Sequence, residues 1–279
     1  MGLVGRFEKI SMSSMREIGS KELKCIQLGI LQNVADFCDK HEIRYFLADG
    51  TLLGAIRHNG YIPWDDDIDI AMPRPEYERF IRIFKDDNSR YQVVSVYSDK
   101  QYGIPLAKVH DTRTLLHETL YKKDVYGVYI DVYPLDGIKN KYQIKTLVFL
   151  NKVLHAKKAN FTQRKLSKMI INFFGKLLLL PFSTHALVSF IDKIAQKYKY
   201  GSTPYAGEIC DGLVGERAMV NYELFEDTLP HEFEGRIYKI PIGYDKWLRS
   251  LYDDYMQLPP IEERKSLHLF KAWWKDSDI

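Results

Sequence analysis

Apolar residues recur every three to four positions across residues 21–41, at Leu23, Ile26, Ile30, Leu31, Val34, Phe37 and Cys38. That period predicts an amphipathic helix, with Ser20 just ahead of it as N-cap. Residues 43–47 read as a short strand, and the turn from Gly50 to Gly54 opens a short helix. A second strand is expected over 62–72 and a helix over 74–86. Alternation at 91–97 and apolar runs at 104–116 and 128–132 add three strands. Near the C-terminus a hairpin is expected at 233–240, then a helix at 244–255 and a tail with Pro259-Pro260. Helices and strands do not alternate as regular βαβ units, so the expected class is α+β, a mixed sheet with flanking helices.

The chain has 279 residues, room for one large domain or two small ones. Apolar residues make up 46% and charged residues 28%, which excludes wholesale disorder. The net charge of +3 argues against a nucleic-acid coat protein, and no nucleic acid is expected as partner. The charge is unevenly placed, however. Residues 138–190 contain no Asp or Glu but ten basic residues, among them Lys157, Lys158, Arg164, Lys165 and Lys168, so the rest of the chain is net acidic. Such a basic, apolar, helix-periodic stretch reads either as a membrane-surface element or as a helical subdomain with solvated lysines. Three segments follow: a core at 20–137, a basic helical part at 138–200, and a C-terminal part at 201–279 that completes the core.

Three cysteines are too few for a secreted disulfide scaffold. Cys25 and Cys38 fall on one helix about 20 Å apart, beyond disulfide reach. No apolar leader is evident, and the most apolar stretch, 169–182, is interrupted by Lys176 and short of the ~20 residues of a membrane span. A cytoplasmic location is expected, with peripheral contact to the inner membrane face.

The sharpest feature is Ile62-Pro63-Trp64-Asp65-Asp66-Asp67-Ile68-Asp69-Ile70. Four acids in five positions among apolar residues are costly to bury unless neutralised. In a strand, Asp65, Asp67 and Asp69 share one face at roughly 7 Å steps and Asp66 takes the other. Such carboxylates repel one another, and a hard divalent cation removes the repulsion; magnesium, held by carboxylates plus substrate phosphates, suits the set, with manganese as the alternative. The plainer reading is a solvated acidic turn. An EF-hand is excluded, because its glycine and distal glutamate are missing.

Downstream, Asp131 sits in a second apolar strand, suited to assist a metal pair or to take a proton from an attacking hydroxyl. Upstream, Gly50 permits close backbone approach, Thr51 offers a hydroxyl, and Arg57 lies two turns along the following helix, where it can clamp a phosphate. Lys108, in an apolar strand, either neutralises a diphosphate or snorkels to solvent. Aromatic faces could hold a quaternary ammonium, but nothing in the sequence singles them out.

Taken together, Gly50-Thr51-Leu52-Leu53-Gly54-Ala55-Ile56-Arg57 and the acidic block after it resemble the LicD family of phosphocholine transferases. The strand Ile130-Asp131-Val132-Tyr133-Pro134-Leu135-Asp136-Gly137 and the tail Tyr255-Met256-Gln257-Leu258-Pro259-Pro260 are similar as well. The resemblance implies a nucleotidyltransferase-like fold and transfer of phosphocholine from CDP-choline to a sugar hydroxyl of a lipid-linked glycan such as teichoic acid, lipopolysaccharide or capsule. CDP-ribitol or CDP-glycerol are the alternative donors. It places two magnesium ions on Asp67 and Asp69, with Asp65 and Asp131 beside them and Asp131 as base. Phosphate binding then falls to Gly50, Thr51 and Arg57. Beside the resemblance, Lys108 and Asp136 are further donor-binding candidates, and Arg264 and His268 could close over the donor from the tail, although a surface His usually has no such role. Asp49 stands where the family pattern has glycine. Two rivals are a nucleotidyltransferase that moves NMP and releases pyrophosphate, and a non-catalytic glycan-binding module.

Overall fold

The computed structural model describes residues 15–86, 89–118, 125–158, 183–265 and 270–275. Strand β1 (Glu17–Ile18) leads into helix α1 (Ser20–Lys40), which buries Leu23, Ile26, Ile30, Leu31, Val34 and Cys38 as its period requires. Gly19, not Ser20, is its N-cap, and Ser20 is the first helical residue. Strand β2 (Phe46–Leu47) and helix α2 (Asp49–His58) follow; Asn59 ends α2 in the left-handed region at φ 55°. Strand β3 (Asp69–Pro73) is much shorter than the 62–72 expected. Pro63 has no N–H for a ladder and the acids repel one another, so residues 65–68 run irregularly into it. Helix α3 (Arg74–Ile83) stops three residues early.

The expected strand 104–116 is two strands in two sheets. Strand β4 (Tyr91–Val94) pairs with β5 (Ala107–Asp111), the chain turns at Thr112-Arg113, and β6 (Thr114–Glu118) enters the other sheet. Asp111 makes the corner: buried, it accepts from the Arg113 N–H at 3.0 Å and from the guanidinium groups of Arg90 and Arg113. Beyond β7 (Val125–Tyr126), strand β8 (Tyr129–Ile138) is twice the length expected and is the spine of the molecule. It runs parallel to β3 and antiparallel to β5, and its last residues pair with β9 (Tyr205–Gly207). Between them lie α4 (Lys141–Lys158) and α5 (Thr184–Ala195), the latter capped by the Ser183 side chain. The main sheet ends in β10 (Val220–Asn221). Hairpin β11 (Thr228–Phe233) and β12 (Arg236–Pro241), helix α6 (Tyr244–Tyr252) and β13 (Phe270–Trp274) complete the order. Strand β13 joins β1, β6 and β7 in a second, antiparallel sheet. The class is α+β.

Helices α1 and α3 pack on β3, β5 and β8. There Ile70, Val132 and Ala107 stand in register and fully buried, part of the larger apolar core. A second core joins α4 and α5 to Val96 and Leu106 on one side and Ile209, Cys210 and Ala218 on the other, so all three segments of the chain share it. Lys157 and Lys158 end α4, whereas Arg164, Lys165, Lys168 and Lys176 lie outside the described residues. Among the described residues no helix is long and apolar enough to cross a membrane, and the three cysteines are unpaired.

Asp136 does not face the acidic block. Arg74 grips it from α3 through two bonds of 2.7 and 2.6 Å and reaches Asp192 of α5 at 3.0 Å, all three residues buried. Asp136 is thus a structural counter-ion tying α3, β8 and α5 together. Removing one member of a buried ion network strands the remaining charges, so Asp136→Ala is expected to cost about 3–5 kcal/mol in denaturant unfolding. A loss below about 1 kcal/mol contradicts this role.

Candidate active site

The acidic block forms a turn rather than one strand face. The Asp65 N–H donates to the Ile62 carbonyl at 2.9 Å, the Asp66 N–H to Asp65 Oδ1 at 3.2 Å, and Gln27 Nε2 of α1 donates to the Asp66 carbonyl at 2.9 Å. Oxygens of Asp65, Asp66 and Asp67 therefore come within 4.8 Å of one another. Asp66, expected on the far face, joins its neighbours because no pleat separates them. Asp65 packs over the start of α2: a Cβ on Gly50 would sit 2.6 Å from Asp65 Oδ2. Gly50 makes room for this carboxylate at the positive end of the helix.

Thr51 is buried, and its Oγ1 accepts the Asp69 N–H at 2.9 Å. Its oxygen fixes α2 to the start of β3 and so sets where Asp69 points. Register then builds a row across three strands: Asp69 of β3 beside Asp131 of β8, and Asp131 beside Lys108 of β5. Partners in register project from the same face of a sheet. Lys108 does not snorkel; only 5% exposed, its Nζ is 2.7 Å from Asp131 Oδ1 and 3.4 Å from the centroid of the Tyr129 ring.

More carboxylates converge on this row than the acidic block supplies. Burial, then the charges of Asp67, Asp49, Asp131 and Asp65, hold the Asp69 carboxyl well above the usual carboxylate range. Burial raises Asp49, although a hydrogen bond from Glu208 partly offsets the shift. Burial, then the Asp49 charge, pushes Glu208 well up, so Glu208 holds the proton and donates it to Asp49. Burial brings Asp211 to about 7. Tyr133, two residues along the strand from Asp131, and Tyr252 at the end of α6 are both pushed up by burial and by these carboxylates. Glu208, Asp211 and Tyr252 were missed by sequence reasoning. Glu208-Ile209-Cys210-Asp211 carries the same signal as Asp131, acids set among apolar residues, but one copy far down the chain did not stand out.

A cationic pair stands at the edge of the acidic turn. Arg57 donates through Nη1 to the Tyr255 carbonyl at 2.8 Å and is half-buried. Burial lowers its pKa and the Arg264 charge lowers it further, a sign of two guanidinium groups held close. Arg264 donates Nε to the Pro259 carbonyl at 2.9 Å and lies 5.5 Å from the centroid of Trp64, the residue before Asp65. The structure thus brings together Asp65, Asp67, Asp69, Asp131, Gly50, Thr51 and Lys108, with Arg57 and Arg264 at the edge, and turns Asp136 away. His268 lies outside the described residues.

Carboxylate oxygens and like-charge crowding fit a hard divalent cation such as magnesium. Asp65, Asp66, Asp67 and Asp69 are the oxygens available to hold it, with Asp131 beside them. Residues 42–181 match a family model described as LicD/FKTN/FKRP, nucleotidyltransferase domain. The chain is 32% identical over 268 residues to the lipopolysaccharide cholinephosphotransferase LicD of Haemophilus influenzae, covering 93% of this chain and 99% of that protein. A shorter match, 33% over 79 residues, covers 28% of this chain and 26% of an uncharacterized protein of Rickettsia typhi. Another, 44% over 54 residues, covers 19% of this chain and 20% of an uncharacterized protein of Rickettsia prowazekii.

Proposed function

Since this chain belongs to the LicD family, we propose that it transfers phosphocholine from CDP-choline to a sugar hydroxyl of a lipid-linked cell-surface glycan, with magnesium as cofactor. The Haemophilus relative is named for transfer to lipopolysaccharide; teichoic acid and capsule precursors offer the same acceptor chemistry. The observation that carries the reading is the pairing of two crowded sets of like charge. Crowded carboxylates stand on one side and the Arg57–Arg264 pair on the other. A metal-bound diphosphate has positive charge for the first and negative charge for the second.

When bound, magnesium would neutralise the donor diphosphate and stabilise the departing phosphate. Asp65, Asp66, Asp67 and Asp69 would hold it, with Asp131 beside them. Arg57 and Arg264 would orient phosphate oxygens, and the Trp64 ring beneath Arg264 would keep that guanidinium in place. Lys108 holds Asp131 by one oxygen, which positions the carboxylate to take the proton of the acceptor hydroxyl. The acceptor oxygen bonds to the phosphorus bearing choline, the bond from that phosphorus to the CMP oxygen breaks, and CMP leaves with the electron pair. Thr51 and Gly50 act through Asp69 and Asp65, as positioning residues.

We also place the protein at the inner membrane face, where a lipid-linked acceptor is found. Support comes from one stripe of α4. Tyr142 (70% exposed), Lys145, Phe149 (65% exposed) and Lys152 follow at helical spacing in a stretch without a single acid. Aromatic and cationic side chains on one face suit an anionic lipid surface.

Purified protein given CDP-choline and magnesium is expected to release CMP and phosphocholine slowly without acceptor, and to stop with EDTA. Asp69→Asn should lower this release by roughly 10²-fold or more while circular dichroism stays unchanged. Pyrophosphate among the products, or full activity in Asp69→Asn, overturns the mechanism. For the membrane, Lys145→Gln with Lys152→Gln should weaken partitioning to phosphatidylglycerol vesicles by roughly fivefold per lysine. Unchanged partitioning contradicts the placement.

A further inference from the structure

Beside the acidic row lies a cavity of about 350 Å³, lined by Asp49, Leu213, Val214, Arg217, Leu251 and Tyr252. Its walls come from two segments locked together. The Arg217 guanidinium donates to the Leu251 carbonyl at 2.9 Å and to Asp253 at 3.1 Å, and Ser250 Oγ donates to the Arg217 carbonyl at 2.6 Å. On the opposite side Gly212, at φ +70°, turns the chain so that the Leu213 N–H donates to Asp211 Oδ1 at 3.0 Å. Only a residue without Cβ suits this turn, because a Cβ would also sit 3.0 Å from the Val148 Cα. The cavity is therefore built before any ligand arrives.

Its lining combines the Asp49 carboxylate with the apolar side chains of Leu213, Val214 and Leu251. Asp49 is at the wall, and behind it stands Glu208, 4% exposed, whose Oε1 has no hydrogen-bond partner. Asp49 takes a left-handed backbone at φ +41°, a conformation that favours glycine and that aspartate tolerates. The one cation lining the cavity, Arg217, has its guanidinium engaged by Leu251 and Asp253. Tyr252 is within electrostatic reach of both Asp49 and Arg57.

We propose that this cavity is the subsite for the quaternary ammonium of the donor, with Asp49 as its counter-ion, Tyr252 as the aromatic face, and Leu213, Val214 and Leu251 against its methyl groups. A quaternary ammonium has no N–H to satisfy and combines a full positive charge with an apolar surface, so a carboxylate among leucine and valine side chains complements it. A polyol such as ribitol or glycerol would leave hydroxyls against those same side chains, and a second metal ion would find too few oxygens on that wall. The inference rests on the phosphocholine reading and assigns its head group a place.

The test is calorimetric titration of the whole protein in magnesium with CDP-choline and, separately, with CDP. The double variant Asp49→Asn with Glu208→Gln removes the negative charge of the pair while keeping shape; both changes are needed because Glu208 can ionise once Asp49 is neutral. Leu213→Lys, at a residue 73% exposed, sets a like charge beside the ammonium without disturbing the core. Both are expected to weaken CDP-choline by about tenfold or more and to leave CDP within about twofold of wild type. Equal weakening of CDP-choline and CDP by the double variant, or wild-type affinity for CDP-choline in both proteins, overturns the subsite while the phosphocholine reading stands. Failure of the wild-type protein to bind CDP-choline although it binds CDP overturns both.

Discussion

Mutual repulsion among crowded, partly buried carboxylates is the constraint on which this structure turns. Asp49, Asp65, Asp67, Asp69, Asp131, Glu208 and Asp211 converge from four parts of the chain, and the protein itself meets this charge with Lys108 on Asp131 and a proton held on Glu208. Such a centre is tolerated only where rigid elements leave the carboxylates no escape. The Thr51 hydroxyl pins the start of β3, Gln27 pins the acidic turn, and the absence of a side chain at Gly50 lets Asp65 lie over the helix start. The long strand β8 does the rest, because it pairs with β3 and β5 at the same residue and so sets Asp69, Asp131 and Lys108 in one row.

The same strand separates chemistry from architecture. Asp131 belongs to the charged centre, and five residues on Asp136 is clasped by Arg74 in a buried triad with Asp192. One carboxylate stands in the acidic centre with Lys108, and the other is paired with Arg74 inside the fold. The tail contributes by a similar division. The carbonyls of Tyr255 and Pro259 hold Arg57 and Arg264 beside the acidic turn, and the end of α6 provides Tyr252 and Leu251 as one side of a preformed cavity. The apolar side of that cavity and its negative floor complement one kind of head group better than another.

Local periodicity made much of the fold legible. Helix α1 follows its apolar period, and the acids at 65–69 and Asp131 announced themselves by standing among apolar neighbours. Other features depend on partners remote in sequence. Lys108 reads either as a phosphate partner or as a snorkelling lysine until β5 and β8 align it with Asp131. Asp136 looked like a donor ligand because it follows the motif strand, whereas its role is set by Arg74 and by Asp192, 56 positions further along. The break of 104–116 into two strands hinges on Asp111, whose partners Arg90 and Arg113 form no pattern. Pro63 and the repelling acids are the local signals that shorten β3, and strand alternation alone does not show their effect.

The central claim is that this repulsion is relieved by a divalent cation, and thermal unfolding against magnesium concentration at neutral pH tests it most directly. The account predicts a saturable rise of about 5 °C or more at a hundredfold excess over the dissociation constant, not reproduced by sodium chloride of equal ionic strength. It also predicts that Asp67→Asn with Asp69→Asn unfolds at a higher temperature than the metal-free parent and no longer responds to magnesium. An unfolding temperature indifferent to magnesium, together with a double variant less stable than its parent, would contradict it.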